Sequence, residues 1–175
     1  MQSGTRLIRL SIDYQIKPFD CGDSDLNEFI FNDAKKYLDE FLAVTYLIEN
    51  EKNTIAFFSL FNDKISLIDV DSKSQWKKLF RDNMPQGKRF SSYPAMKIGR
   101  LGVSIDYKGQ GWGTIIIDYL KELFISNNRT GCRYITVDAY RESLGFYERN
   151  GFAYLTSKDI DSDTRLMYFD LIKLK

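Results

Sequence analysis

Apolar positions change their spacing along the chain, and each change marks an element. Residues 6–12 alternate loosely between apolar and polar, which predicts a first strand. Asp23-Ser24-Asp25 then offers helix N-caps, and Asp25 and Glu28 stand at capping-box spacing. Leu26, Phe29, Ile30, Ala34, Tyr37 and Leu38 follow at helical intervals. Residues 41–48 are β-branched and aromatic and predict a strand, residues 49–53 a polar turn, and residues 54–61 a second strand antiparallel to the first. Residues 65–70 form a weaker third strand candidate. Trp76, Leu79 and Phe80 mark a short helix starting near Ser72 or Ser74 and closed by Met84-Pro85-Gln86-Gly87.

The second half has a clearer rhythm. A strand over residues 95–105 leads into a glycine-rich loop and a helix that runs from Thr114 to Ser126-Asn127-Asn128. Residues 133–139 read as a strand and residues 142–149 as a helix closed by Asn150-Gly151, with glycine at the C′ position. Residues 152–155 and 165–174 read as closing strands. Early antiparallel pairing followed by a strand–helix–strand unit predicts an α/β (α+β) fold with a mixed sheet. A parallel pair joined through the helix from Thr114 would splay at its C-terminal ends, where ligands bind.

Composition narrows the chemistry. At 175 residues, one domain over residues 1–175 is expected, and 43% hydrophobic with 15% aromatic residues argues against disorder. No signal peptide and no membrane span are expected, since no apolar run approaches the needed length. Two cysteines, Cys21 and Cys132, make no disulfide framework, which fits a reduced cytoplasmic setting. Histidine is absent, which removes serine–histidine triads, histidine bases and most zinc sites, so no metal is expected. Net charge is +1, but residues 73–100 hold eight basic residues (Lys73, Lys77, Lys78, Arg81, Lys88, Arg89, Lys97, Arg100) against Asp82. That segment carries +7 and leaves −6 for the rest. It suits either an anionic partner or a solvated helix face and loop.

The loop is Lys108-Gly109-Gln110-Gly111-Trp112-Gly113-Thr114. A glycine loop opening a helix presents unpaired N–H groups and the positive end of the helix dipole, about half a unit charge, to whatever lies above it. Phosphate is the usual guest. A plain strand-to-helix turn would also use glycine. Two phosphate loops are excluded. A Walker loop needs Lys after its last glycine, and Thr114 follows Gly113. A dinucleotide loop needs a third glycine where Thr114 or Ile116 stands. The stretch resembles the acyl-CoA pyrophosphate loop of the GNAT N-acetyltransferase superfamily, Gln/Arg-x-x-Gly-x-Gly/Ala. It departs at Lys108, which keeps the charge but lacks the guanidinium fork.

A second stretch carries the same resemblance. Tyr140-Arg141-Glu142-Ser143-Leu144-Gly145-Phe146-Tyr147-Glu148-Arg149-Asn150-Gly151-Phe152 is similar to the GNAT segment Asn-x-x-Ala-x-x-Phe/Leu-Tyr-Glu-x-x-Gly-Phe, with Tyr140 for the Asn and Ser143 for the Ala. Two motifs in the right order cover residues 95–155. They imply the GNAT fold: a mixed central sheet splayed between its fourth and fifth strands, with flanking helices. They also imply acetyl-CoA as acyl donor, held by residues 108–114, by Tyr140 and by the backbone of Leu101, Gly102 and Val103 on a bulged strand. Gly102 has the freedom such a bulge needs, and an N–H there would polarise the thioester carbonyl.

By the same resemblance Tyr147 is the general acid for the coenzyme A thiolate. A phenol of pKa about 10 is protonated at neutral pH, and transfer to a thiolate of pKa about 8.5 is uphill by roughly 2 kcal/mol, so the proton moves late. An ε-amine is neutral in about one molecule in 2,500 at pH 7 and an α-amine in roughly a tenth, so an α-amine needs less help from a base. Glu142, Asp138 and Asp106 are carboxylates able to act through water, and none is assigned.

Phe19-Asp20-Cys21-Gly22 with Leu26 and Phe29, Arg81-Asp82-Asn83-Met84-Pro85, and Gly99-Arg100-Leu101-Gly102-Val103 resemble the toxin acetyltransferases of toxin–antitoxin pairs. That branch acetylates the α-amine of aminoacyl-tRNA. It implies tRNA contact through the basic run of residues 73–100, an antitoxin, and a homodimer, with no membrane partner. Alternatives are acetylation of a small-molecule amine or a protein N-terminus, or an acyl-CoA-binding domain without catalysis. A polyamine would draw on Asp20, Asp23, Asp25 and Glu28.

Overall fold

The computed structural model of the chain describes residues 4–80, 91–126 and 130–175. Seven strands, β1 (Arg6–Arg9), β2 (Val44–Glu49), β3 (Thr54–Ser66), β4 (Ser92–Val103), β5 (Tyr134–Tyr140), β6 (Ala153–Tyr154) and β7 (Thr164–Asp170), are hydrogen-bonded in the order β1-β2-β3-β4-β5-β7-β6. The helices are α1 (Ser24–Glu28), α2 (Ala34–Asp39), α3 (Lys73–Phe80), α4 (Trp112–Ser126) and α5 (Leu144–Arg149). The sheet is mixed: β1, β2 and β3 are antiparallel, while β4 and β5 are parallel neighbours joined through α4, as the expected GNAT architecture requires. Among the described residues no helix is long and apolar enough to cross a membrane. The chain forms two compact units, residues 1–62 with 98–126, and residues 63–97 with 127–175.

In the first unit the core is aromatic. Phe57, fully buried on β3, meets Phe19 edge-on at 5.3 Å and stacks with Phe29 at 6.1 Å. Burial of one such ring is worth about 1.5–3 kcal/mol. On α4, Ile116, Ile117 and Leu120 are buried, and Tyr119 approaches Phe58 at 6.2 Å. The single helix expected after residue 23 is two, α1 and α2, joined by a wide π-type turn over Phe29–Asp33 in which the Ala34 amide bonds the Phe29 carbonyl. Its cap is Asp23, whose carboxylate accepts from the amides of Asp25 and Leu26 at 2.9 and 3.1 Å. Asp25 lies inside the helix and therefore cannot cap it.

The second unit is built on a long antiparallel ladder from Tyr134↔Asp170 to Tyr140↔Thr164. Its buried cluster holds Ile65, Val70, Tyr93, Ala95, Tyr134 and Leu155, and Trp76 of α3 packs on Tyr93 at 5.5 Å. A fork of two bonds, 2.9 and 2.7 Å, ties Arg133 to Asp170 at the end of the ladder. The third strand expected over residues 65–70 does not exist separately. β3 runs on to Ser66 and ends in a short 3-10 turn, Leu67–Asp69, closed by a reciprocal Ser66–Asp69 capping box. The expected stop at Met84-Pro85-Gln86-Gly87 lies outside the described residues, as do Asn127 and Asn128.

The strand expected over residues 41–48 begins only at Val44. Phe41 instead closes α2 in the left-handed region, φ 55, with 96% of its surface exposed. A non-glycine residue pays roughly 1–2 kcal/mol there, and glycine is the usual choice. Phe41→Gly should therefore raise stability by about 0.5–1 kcal/mol, read as a higher urea midpoint at unchanged slope.

Candidate active site

The end of β4 and the start of α4 are fixed from below. The Ser104 amide donates to Ile55 O at 2.8 Å and the Ile105 amide to Asp20 O at 2.9 Å. The chain then makes a 3-10 turn over Ile105–Tyr107 and enters the glycine loop. Gly109 and Gly111 sit at φ 77 and 83, in the region that glycine alone enters freely. An added Cβ would meet nothing within 4 Å at either, so the space above both is open. Gly113 is different: it is already in the first turn of α4, which starts at Trp112, two residues before the expected Thr114.

The first amide to close a helical bond is that of Ile115, on Gly111 O at 3.0 Å. The amides of Trp112, Gly113 and Thr114 precede it and have no intrahelical acceptor. Trp112 is 2% exposed, and its buried indole N–H has no partner in the structure. Unpaired N–H groups at a helix start, next to two glycines whose Cβ side is open, make a donor set for an anion. Lys108 is exposed and leans back: its ammonium lies 3.9 Å from where a Cβ on Gly22 would stand, and its charge helps hold the Asp20 carboxyl below the usual range. The main causes of that lowering are hydrogen bonds from the Gly22 amide and Asn27.

Leu101 and Val103 are half-buried on β4. Gly102 between them does not have a positive φ. Glycine is needed there for packing, because a Cβ would come within 2.7 Å of Phe57 Cε1 and 3.3 Å of Phe19 Cζ. The freedom argued from sequence is not what holds this position. Gly99 is tighter still, since a Cβ there would overlap the Phe61 ring.

In the second unit, Tyr140 ends β5 and is 52% exposed. Tyr147 lies on α5, 6% exposed, edge-on to Phe146 at 5.0 Å and to Phe152 at 5.3 Å. Burial alone pushes its phenol pKa well above the ordinary value, so the hydroxyl stays neutral throughout the physiological range. Gly151, at φ 82, closes α5 and returns the chain through the Phe152 amide bond to Tyr147 O at 3.0 Å.

Residues 80–154 match the family model described as an acetyltransferase (GNAT) domain. Over that stretch the chain is similar to a GNAT acetyltransferase domain. No curated protein matches the sequence at a significant level. Three solved structures share the fold over nearly full length. A tyrosine-to-phenylalanine mutant of KacT is 21% identical, with 99% of this chain and 100% of that one covered and a TM-score of 0.78. AtaTR bound with AcCoA is 19% identical, with 99% and 97% covered and a TM-score of 0.75. AtaT complexed with acetyl-methionyl-tRNAfMet is 19% identical, with 97% and 96% covered and a TM-score of 0.73.

The candidate charged residues are partly committed elsewhere. Asp138 pairs with Lys97. Asp20 accepts from the Gly22 amide and from Asn27 Nδ2, both at 2.7 Å, and Asp23 caps α1, so neither is a free anionic surface for a polycation. Glu142 and Asp106 are exposed in short 3-10 turns. Of the basic run, Arg100 lies over the Phe29 ring at 5.2 Å and donates to Gly99 O, whereas Lys73, Lys77 and Lys78 are exposed on α3. Arg81, Lys88 and Arg89 lie outside the described residues, together with the Arg81-Asp82-Asn83-Met84-Pro85 motif. One participant escaped the sequence reading. Asn50, taken for polar turn material, donates its side-chain amide to the Tyr107 hydroxyl at 2.8 Å. Its position beside a strand end was the available signal, but the partner is 57 residues away.

The two kinds of glycine predict separable effects. Gly102→Ala should cost about 1–3 kcal/mol by overlap with the Phe57 ring, and Gly111→Ala about 1 kcal/mol by backbone strain alone. Urea denaturation of both variants checks the difference.

Proposed function

We propose that this chain moves an acetyl group from acetyl-CoA to the α-amine of an aminoacyl-tRNA. The observation that carries the transfer reaction is the open donor set over residues 109–114: two positive-φ glycines at the start of a 15-residue helix, with nothing above them. Its chemistry suits the diphosphate of coenzyme A, and the backbone of Leu101, Gly102 and Val103 is the proposed guide for the pantetheine arm. Lys108 and Tyr140 are each proposed to contact acetyl-CoA. Acetyl-CoA supplies an activated acyl carbon and a thiolate leaving group. Residues 1–175 are read as one catalytic domain made of both compact units.

In this reading the neutral substrate amine attacks the thioester carbonyl, an N–C bond forms and the C–S bond breaks. Tyr147 gives its phenolic proton to the departing sulfur, the substrate nitrogen releases its proton to water, and water returns a proton to the Tyr147 phenolate to close the cycle. Burial holds Tyr147 neutral, which keeps the proton available but makes it a reluctant donor. The thiolate, formed in the same dry surroundings, is also raised in basicity, so the transfer occurs late, as the C–S bond fails. No carboxylate is assigned as base. An α-amine, a tenth of it neutral at about pH 7, does not require one.

The acceptor is supported by AtaT complexed with acetyl-methionyl-tRNAfMet, a structure of the same fold, and by the exposed Lys73, Lys77 and Lys78 on α3, suited to phosphate. KacTA in complex with DNA and AtaT bound to the C-terminus of AtaR support an antitoxin partner. A cytoplasmic setting follows from such a substrate. A polyamine acceptor has less support, because the Asp20 carboxylate accepts from the Gly22 amide and Asn27 and Asp23 caps α1.

Incubation with acetyl-CoA and charged tRNA, followed by mass spectrometry of the released aminoacyl group, should show N-acetylation and a block of cell-free translation. Unmodified aminoacyl groups alongside an acetylated small amine or peptide would instead select another acceptor. Tyr147→Phe should lower kcat about 100-fold or more while leaving acetyl-CoA affinity near wild type. The raised phenol pKa fixes the sign of the pH profile. Protonated Tyr147 persists above pH 10, so kcat/KM should climb with amine deprotonation through about pH 8 and show no falling limb below about pH 10. A fall near pH 8 in a rate–pH profile would contradict the tyrosine assignment.

A further inference from the structure

The glycine loop has a built-in support that begins at a buried carboxylate. Glu49, with no exposed surface, accepts from the Tyr14 hydroxyl at 2.8 Å and from Thr54 Oγ1 at 3.1 Å, and lies 3.5 Å from Lys17 Nζ. Lys17 donates to the carbonyl of Asn50 at 2.5 Å. The Asn50 side-chain oxygen accepts the amides of Lys52 and Asn53, both at 2.8 Å, which fixes the turn between β2 and β3. Its side-chain nitrogen donates to the hydroxyl of Tyr107 at 2.8 Å. Tyr107 is the last residue before the loop, and its carbonyl receives the Gln110 amide at 3.4 Å.

A buried charge cluster is thus linked, through one turn, to the entrance of a loop whose two positive-φ glycines would otherwise let it wander. We propose that Asn50 and Tyr107 are positioning residues for the anion loop. They hold the amides of residues 109–114 in the binding arrangement before any ligand arrives. Neither touches the substrate. Their effect is on the ordering cost of binding, which a preorganised donor set avoids. This proposal rests on the reading of the loop as the coenzyme A diphosphate site.

The test uses Tyr107→Phe, which keeps the ring and removes the acceptor. Loss of one part-buried hydrogen bond corresponds to about a 3- to 10-fold change in an equilibrium constant. Calorimetry with coenzyme A should show that loss in affinity, while kcat at saturating acetyl-CoA stays within about twofold and KM rises. Amide ¹⁵N relaxation in the absence of ligand should give lower order parameters over residues 107–114 in the variant and unchanged ones in β5 and β7. A merely structural bond would lower the unfolding midpoint but leave Kd and the kcat–KM split unaltered, and that result overturns the proposal. Equal order parameters over residues 107–114 in both proteins overturn it as well, whatever the fold stability of the variant. If the wild-type protein binds no coenzyme A, the reading of the site falls first and this proposal with it. If the wild type binds and Tyr107→Phe binds equally well, only this proposal fails.

Discussion

The structure turns on a set of backbone N–H groups that have no carbonyl to bond. A strand must become a helix within a few residues, and the change of direction is made by Gly109 and Gly111 in the left-handed region. The cost is a helix start whose first amides have no intrahelical acceptor. Everything around them serves to keep that start in place. Ser104 and Ile105 anchor the strand end to Ile55 and Asp20, the Phe57 ring packs against Gly102, and Ile116, Ile117 and Leu120 seat the helix. The same bonds that make the fold leave one concentrated patch of positive potential.

Tyr147 contributes the opposite kind of electrostatics. Its phenol is sealed by Phe146 and Phe152, and desolvation favours its neutral form. A group with no charge to lose is useful where a negative sulfur must be quenched without admitting water. Histidine is absent from the sequence, so under the proposed mechanism no imidazole is present to take the part of the phenol.

Much of this was legible in the sequence because it is local. The strand–glycine–helix rhythm, the cap at Gly151 and the Phe146-Tyr147 pair are each contained within a few residues, and they fixed the order of elements through the second half. The first half was read less well. The π-type turn at Phe29–Asp33 preserves an apolar spacing that looks like one helix, and β3 absorbs a stretch that Ser66 and Asp69 divide only through their side chains. Phe41 breaks the rule that an exposed left-handed cap is glycine, so its apolar character read as strand. At the site, the role of Gly102 came out differently because it depends on rings 45 and 83 residues earlier in the chain, and the Asn50–Tyr107 bond joins residues 57 apart. Spacing rules see neighbours along the chain and not across a sheet.

The central claim is that the amides of Gly109 and of residues 111–114 hold the diphosphate of coenzyme A. Titration of ¹⁵N-labelled protein with coenzyme A, followed by amide chemical shifts, addresses it residue by residue. The account predicts saturable shifts largest at Gly109, Gly111, Gly113 and Thr114, weakened by added salt. Saturable binding that leaves those four amides unmoved, or no binding at all, would contradict it.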